Sequence, residues 1–563
     1  MNMTLKPFAV QHRNAGNTLL DAVILAVVTV AVLLPFSGKA FNIDDTLFLW
    51  TAEQIHRSPF DVYGFSGNWD GVLRAAPGII KNPPLASYYL AASAWAVGFG
   101  ERALHLAFLL PALAVSFGTY ALGRRFTSMP LAAALAAVLS PAFMVSANTV
   151  MCDVLMLAFY VWAVVLWVRG LDRGEPVTLL IAGLLVAMSA LTKYFGMSLI
   201  PLLAAYSLID RKPVRLWLPG LLVPVAALLG YQWFTSVAYG RGLLFEATVY
   251  STSVRGGGGA GIVENTLVGL AFTGGGFIAA LFYAPSLWSK RALAAGLIAT
   301  AAGALVLARL KAIGAAPVSA GGGVRWVLVV EFAVFAAAGA SVMVVAVRDA
   351  LRNRDAASAL LALWVLGTFA FMVKFNWTIN GRSVLPMVPA AGILVMRSVE
   401  RRGGASRALH RAFVPLIPCL LVTVAVVWAD ASLANSARDA ARRITGRYAR
   451  AGGNIWFEGH WGFQYYMEKA GARPVEWGAS PIRRGDVLVF PLNNVNLRLV
   501  PGADVSVAED MRLDTSPGWL TTMSLGPGAG FYASEWGPVP YLVGRATPER
   551  YIVMFAARDM TLR

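Results

Sequence analysis

Residues 85–100 read LASYYLAASAWAVGFG, and whether this stretch crosses a membrane decides the whole topology. It is apolar, rich in small side chains, and follows Asn82-Pro83-Pro84. A perpendicular membrane helix needs about 20 residues, more than this stretch offers. Suppose it lies along the membrane surface. Then GRRF (123–126), RGLDRGE (169–175), DRKPVR (210–215), SKR (289–291), VRDALRNRD (347–355) and RSVERRGGASRALHR (397–411) all fall on the side of the N-terminus. Lys and Arg gather in short cytoplasmic loops, so that arrangement is favoured. If the stretch crosses, every later basic loop changes side. It is therefore predicted to be a juxtamembrane or re-entrant helix.

Outward from that point the chain reads as a membrane protein. Of its 563 residues 57% are hydrophobic and 14% charged, against about 25% charged in soluble domains. Spans are expected at 19–37, 103–123, 130–147, 154–170, 176–192, 195–209, 215–234, 266–285, 291–308, 327–347, 357–373, 384–397 and 412–429. That makes thirteen, with the N-terminus inside and the C-terminus outside. The basic lead with Lys6 and Arg13 could belong to a cleaved signal peptide, but an uncleaved first span is expected. The net charge of +17 is explained by cytoplasmic loops, and no basic segment interleaved with aromatics points to nucleic acid. Cys152 and Cys419 lie in or beside spans and read as small apolar side chains. The five histidines show no ligand spacing, so no ligand motif supports a divalent metal or another cofactor.

After Trp428 the character changes. Residues 430–563 contain no span-length apolar run. NIWFEG (454–459), DVLVFPL (486–492) and YIVMFAA (551–557) read as short buried strands, and GFQYYMEKAGA (462–472) as a helix. Two domains are expected: a membrane domain over 1–429, with a first outer loop and juxtamembrane helices at 38–102, and a small extracytoplasmic α/β domain over 430–563. RGGGGAG (255–261) and AGGGVR (320–325) lack the GK[ST] of a phosphate loop and read as flexible connections.

The polar oddities fall on one predicted face. Asp44 and Asp45 sit in FNIDDTLFLW (41–50), Lys81 in GIIKNPPL (78–85), Asp153 in NTVMCDVLML (148–157) and Lys193 in SALTKYFGM (189–197). Asn376, Asn380 and Arg382 lie in VKFNWTINGRSVLPMVP (373–389). Charge at membrane depth is costly and marks function or a partner. Simpler roles exist for each: Asp44, Asp45 or Asp153 as helix caps, Lys193 as an interfacial lysine, Arg382 as a structural ion-pair partner. Three carboxylates and several cations on one face suit an anionic lipid head group and an acid or base.

The order of these pieces resembles the GT-C glycosyltransferases, nearest to bacterial aminoarabinose transferases and dolichyl-phosphate-mannose protein mannosyltransferases. The resemblance spans nearly all of 1–400. It rests on the acidic pair after the first span, the Lys81–Leu85 run KNPPL, the outer Asp153, LTK ending at Lys193, and GRSVLPMVP from Gly381. It implies a polyprenyl-phosphate-sugar donor, inverting transfer to a lipid, glycan or protein acceptor, and a catalytic aspartate in the first loop. On that basis Asp44, Asp45 and Asp153 are expected to be catalytic. Lys81, Lys193 and Arg382 are expected to bind the donor phosphate, and Tyr88, Tyr89, Asn376 and Asn380 to line the substrate groove. A lipid-linked-sugar transporter or flippase is the alternative. It should show internal repeats and charges at the bilayer midplane, and neither is evident here.

Overall fold

Prolines mark where several helices begin. Pro130, Pro141 and Pro176 each stand at the first helical position, where the missing N–H would be unsatisfied anyway and φ is already set. The computed structural model describes residues 15–257, 261–402, 405–450, 452–498 and 500–562. Lys6 and Arg13, residues 258–260 of the glycine-rich stretch 255–261 and residues 403–404 of the last basic loop lie outside the described residues.

The chain is a polytopic helical membrane protein. Among the described residues nine helices are long and apolar enough to cross a membrane, or ten if the pair Pro130–Val138 and Pro141–Ala147, bent by 63°, is one span. Thirteen were expected. Pro176–Thr192 and Leu199–Ile209 are shorter helices, separated at the Lys193 turn. The apolar stretch 266–285 is broken into Ile262–Gly276, Ala279–Phe282 and Ala284–Leu287. The deciding stretch forms a 13-residue helix, Leu85–Val97, stopped by Gly98 at φ 81°. Its length of about 20 Å falls short of the hydrocarbon thickness. It packs against the helices Asp45–Arg57 and Glu101–Phe126.

The helix Cys152–Arg173 orients the bundle. Asp153 lies in its first turn, while Asp172 in its last turn pairs with Arg125 at 2.9 Å. At that second end Arg397 and Arg401 flank the buried Asp349, and Ser128 donates to Glu400 at 3.0 Å. Four of the basic loops thus meet at the end of the bundle opposite Asp153.

The last long helix, Leu416–Tyr448, runs without interruption across residue 430. Beyond it lies a five-stranded mixed sheet of β1 (Ile455–Phe457), β2 (Arg473–Pro474), β3 (Val487–Pro491), β4 (Val505–Leu513) and β5 (Glu549–Ala556), in the order β4-β5-β3-β1-β2. β1 pairs in parallel with β2 and β3, and β5 lies antiparallel between β3 and β4. The helix Trp461–Lys469 follows β1. β3 is buried throughout, as its unbroken apolar run indicates. β4 buries only Met511 and has a register shift between Val507 and Glu509, which hid it from a periodicity reading.

Candidate active site

Asp44 and Asp45 stand together in the chain but do different things. Ile43 before them has φ 48°, a left-handed conformation that a β-branched residue rarely adopts. Such strain persists where surrounding contacts enforce it. Two of those contacts come from Asp45, which is wholly buried. Its Oδ2 accepts from the Asn42 N–H at 2.8 Å, and its Oδ1 from the Val150 N–H at 2.9 Å. Asp45 therefore ties the first loop to the chain just before Asp153. Burial pushes its carboxyl up to about 7. Asp44 precedes the helix Asp45–Arg57 but makes no side-chain cap bond. Its carboxylate turns instead to Arg382.

Arg382 is the centre of the cluster. Both its terminal nitrogens lie 3.2 Å from Asp44 Oδ2, and one of them lies 3.8 Å from Asp153 Oδ2 and donates to Met151 Sδ at 2.8 Å. Asp153 Oδ1 accepts from Lys193 Nζ at 2.6 Å. Exposure sorts these groups: the Asp153 and Arg382 side chains are 1% and 10% exposed, those of Asp44 and Lys193 28% and 26%. Asp44 and Lys193 are the members that face outward. Among the described residues Asp44 Oδ1 has no hydrogen-bond partner, and neither does the buried Arg382 Nε.

The loop that carries Arg382 is held by its own polar side chains. Asn380 Oδ1 accepts from the Ser383 N–H at 2.8 Å, capping the short turn Gly381–Val384. Asn376 donates to the Thr378 carbonyl and to Ser383 Oγ, both at 2.7 Å. The same loop docks on the C-terminal region: the Gly381 N–H donates to the Phe531 carbonyl at 2.7 Å, and Thr378 to Glu535 at 2.6 Å. Asn376 and Asn380 thus shape the loop with their own hydrogen bonds.

Among the described residues Lys81, Tyr88 and Tyr89 make no hydrogen bond or ion pair with Asp44, Asp45 or Asp153. Lys81 Nζ donates to the Gly78 carbonyl at 2.8 Å and lies 5.3 Å from the centre of the Tyr250 ring. Burial lowers its pKa, aided by nearby Arg241. Its cleft is also lined by Tyr194, the neighbour of Lys193, and by Tyr231. Tyr88 donates to the Pro59 carbonyl and Tyr89 to the Ala107 carbonyl, tying the surface helix to its neighbours. Among the described residues no group of three or more His, Cys, Asp or Glu side chains could hold a metal ion.

The cluster therefore pairs a carboxylate having one unbonded oxygen with two fixed cations at one end of a membrane bundle. Residues 81–233 match the dolichyl-phosphate-mannose-protein mannosyltransferase family. The mannosyltransferase match includes Lys81, Asp153 and Lys193 and stops short of Asp44 and Arg382. It agrees with the glycosyltransferase resemblance of the sequence. Among solved structures the chain is similar to ArnT from Cupriavidus metallidurans bound to undecaprenyl phosphate, at 17% identity, TM-score 0.46, covering 85% of this chain and 94% of that one. It is also similar to the Archaeoglobus fulgidus oligosaccharyltransferase tethered to an acceptor peptide, at 13% identity and TM-score 0.49, covering 82% of this chain and 64% of that one. The third is the mycobacterial arabinofuranosyltransferase AftD, at 12% identity and TM-score 0.44, covering 95% of this chain and 40% of that one. No curated protein matches the chain.

Three residues beside the cluster escaped the sequence reading. Lys39 follows the first predicted span and Asp430 the last, positions where a charge is ordinary. Tyr532 lies in a stretch with no periodic pattern. All three are buried, and Tyr532 lies against Arg382.

Proposed function

We propose that the protein is an integral-membrane inverting glycosyltransferase. It moves a sugar from a polyprenyl-phosphate donor to a lipid, glycan or protein acceptor on the outer face of the cytoplasmic membrane. The observation that carries the reading is the Asp44–Arg382–Asp153–Lys193 chain with Asp44 Oδ1 left unbonded. In the proposed step the acceptor hydroxyl oxygen attacks the anomeric carbon while its proton passes to Asp44 Oδ1. The bond from that carbon to the phosphate oxygen breaks, and its electron pair leaves on the lipid phosphate. A positioned carboxylate contributes about 10² to 10⁴-fold as a general base. Arg382 and Lys193 supply positive charge to the phosphate as negative charge grows on it, where fixed donors act without reorganising. Asp153 holds the two cations, Asp45 holds the loop, and Lys81 guides the lipid phosphate toward Lys193 past Tyr194 and Tyr231. Residues 430–563 form the outer domain and receive the acceptor.

The test is binding of undecaprenyl phosphate to the wild type and to Arg382→Ala in nanodiscs. Loss of a charge-assisted phosphate contact should weaken binding by about tenfold or more. Equal binding by the two proteins would remove Arg382 from the phosphate site and the reading with it.

A further inference from the structure

Arg382 is backed by a second buried network. Lys39 Nζ lies 2.5 Å from Asp430 Oδ2, with side chains 0% and 1% exposed. The Tyr532 hydroxyl donates to the same oxygen at 3.1 Å. The centre of the Tyr532 ring lies 5.7 Å from the Arg382 guanidinium carbon, within reach of a cation–π contact. Contacts thus run unbroken from Asp44 through Arg382, Tyr532 and Asp430 to Lys39. Their members come from the first loop, the 376–383 loop, the last long helix and the C-terminal region.

Two features separate this network from ordinary packing. A buried ion pair is a weak source of stability, because desolvation offsets most of its attraction and apolar residues of equal volume would pack as well. A well-attested use of such a pair is to specify one geometry. Second, Arg382 grips Asp44 through a single oxygen, so its contact with the first loop is a pivot. Asp153 and Met151 meet that same edge at one terminal nitrogen, so the face still calls for a support of its own. The Tyr532 ring holds the face, and Asp430 with Lys39 holds the ring.

We infer that Tyr532, fixed by Asp430 and Lys39, is a positioning residue for Arg382, so that the C-terminal region supplies part of the phosphate clamp. The inference rests on the glycosyltransferase reading. Lys39→Met with Asp430→Leu removes both buried charges together and leaves neither orphaned. Tyr532→Phe keeps the ring and removes its anchor, and Tyr532→Leu removes both.

The experiment measures undecaprenyl phosphate affinity and thermal midpoint for the full-length variants in nanodiscs, beside Arg382→Ala. Tyr532→Phe should bind about threefold more weakly and Tyr532→Leu about tenfold more weakly, in line with losing an anchor and then a cation–π contact. The Lys39→Met/Asp430→Leu protein should weaken like Tyr532→Phe at an unchanged midpoint. Wild-type affinity in all three variants, with Arg382→Ala impaired, would overturn the positioning role and leave the proposed function standing. Wild-type affinity in Arg382→Ala itself would overturn both. A Lys39→Met/Asp430→Leu protein that fails to fold would assign the network to stability alone and also overturn the role.

Discussion

Asp153→Asn is the substitution whose consequences the geometry constrains most closely. It keeps size and shape and removes one charge from the point where two cations meet. At an effective dielectric constant of about 20, the gross attractions are about 6 kcal/mol for Lys193 at 2.6 Å and about 4 kcal/mol for Arg382 at 3.8 Å. Desolvation offsets much of this, and breaking one partner of a buried pair costs about 3–5 kcal/mol net. Arg382 retains Asp44, and Lys193 is 26% exposed and can hydrate, so the lower end applies, about 3 kcal/mol. Donor binding should hold or tighten, because the cluster becomes more positive by one charge. Turnover should fall, by about 10²-fold for a displacement near 1 Å of Arg382 and Lys193. Thermal unfolding, undecaprenyl phosphate binding and transfer rate in one nanodisc preparation separate these effects. An Asp153→Asn protein with the wild-type midpoint would refute the claim that this carboxylate anchors both cations. Markedly weaker donor binding would refute the sign of the charge argument.

Asp45 makes stability fall as pH rises: its folded pKa of about 7 lies above the ordinary 3.8, so its contribution is full below that lower value and is lost through about pH 7. A rise of that size corresponds to about 4 kcal/mol, and Asp45→Asn should flatten the dependence of thermal midpoint on pH. An equally steep dependence in the variant would place the titration elsewhere. Reporter fusions after Arg125 and after Arg563 should report opposite sides of the membrane. Same-side signals would sink the proposed topology.

The cluster was legible in the sequence because isolated charges inside apolar runs are expensive and conspicuous. Asp44, Asp153, Lys193 and Arg382 each announce themselves that way, and the structure brings them to one end of the bundle. Division of labour within the acidic pair was not legible. Nothing local says that Asp45 faces inward to the Val150 N–H while Asp44 faces Arg382. Lys81, by contrast, carries the same signal as Lys193, yet folds against Gly78 and Tyr250. The stretches 130–147 and 266–285 read as continuous although the structure bends the first and breaks the second, since hydropathy ignores backbone breaks. The partners Lys39 and Asp430 are 391 residues apart, and each sits at a span end where a charge is ordinary. Tyr532 is recruited purely by tertiary packing.

The proposed chemistry turns on Asp44 taking the acceptor's proton. Asp44→Asn keeps the size and one acceptor oxygen for Arg382 while removing charge and basicity. The deciding experiment is the single-turnover transfer rate of Asp44→Asn with bound donor, alongside its donor affinity, in the same nanodiscs as the wild type. The rate should be lowered by at least about 10²-fold, with donor affinity near wild type. A folded Asp44→Asn protein that binds donor and transfers at the wild-type rate would strip Asp44 of the role of base.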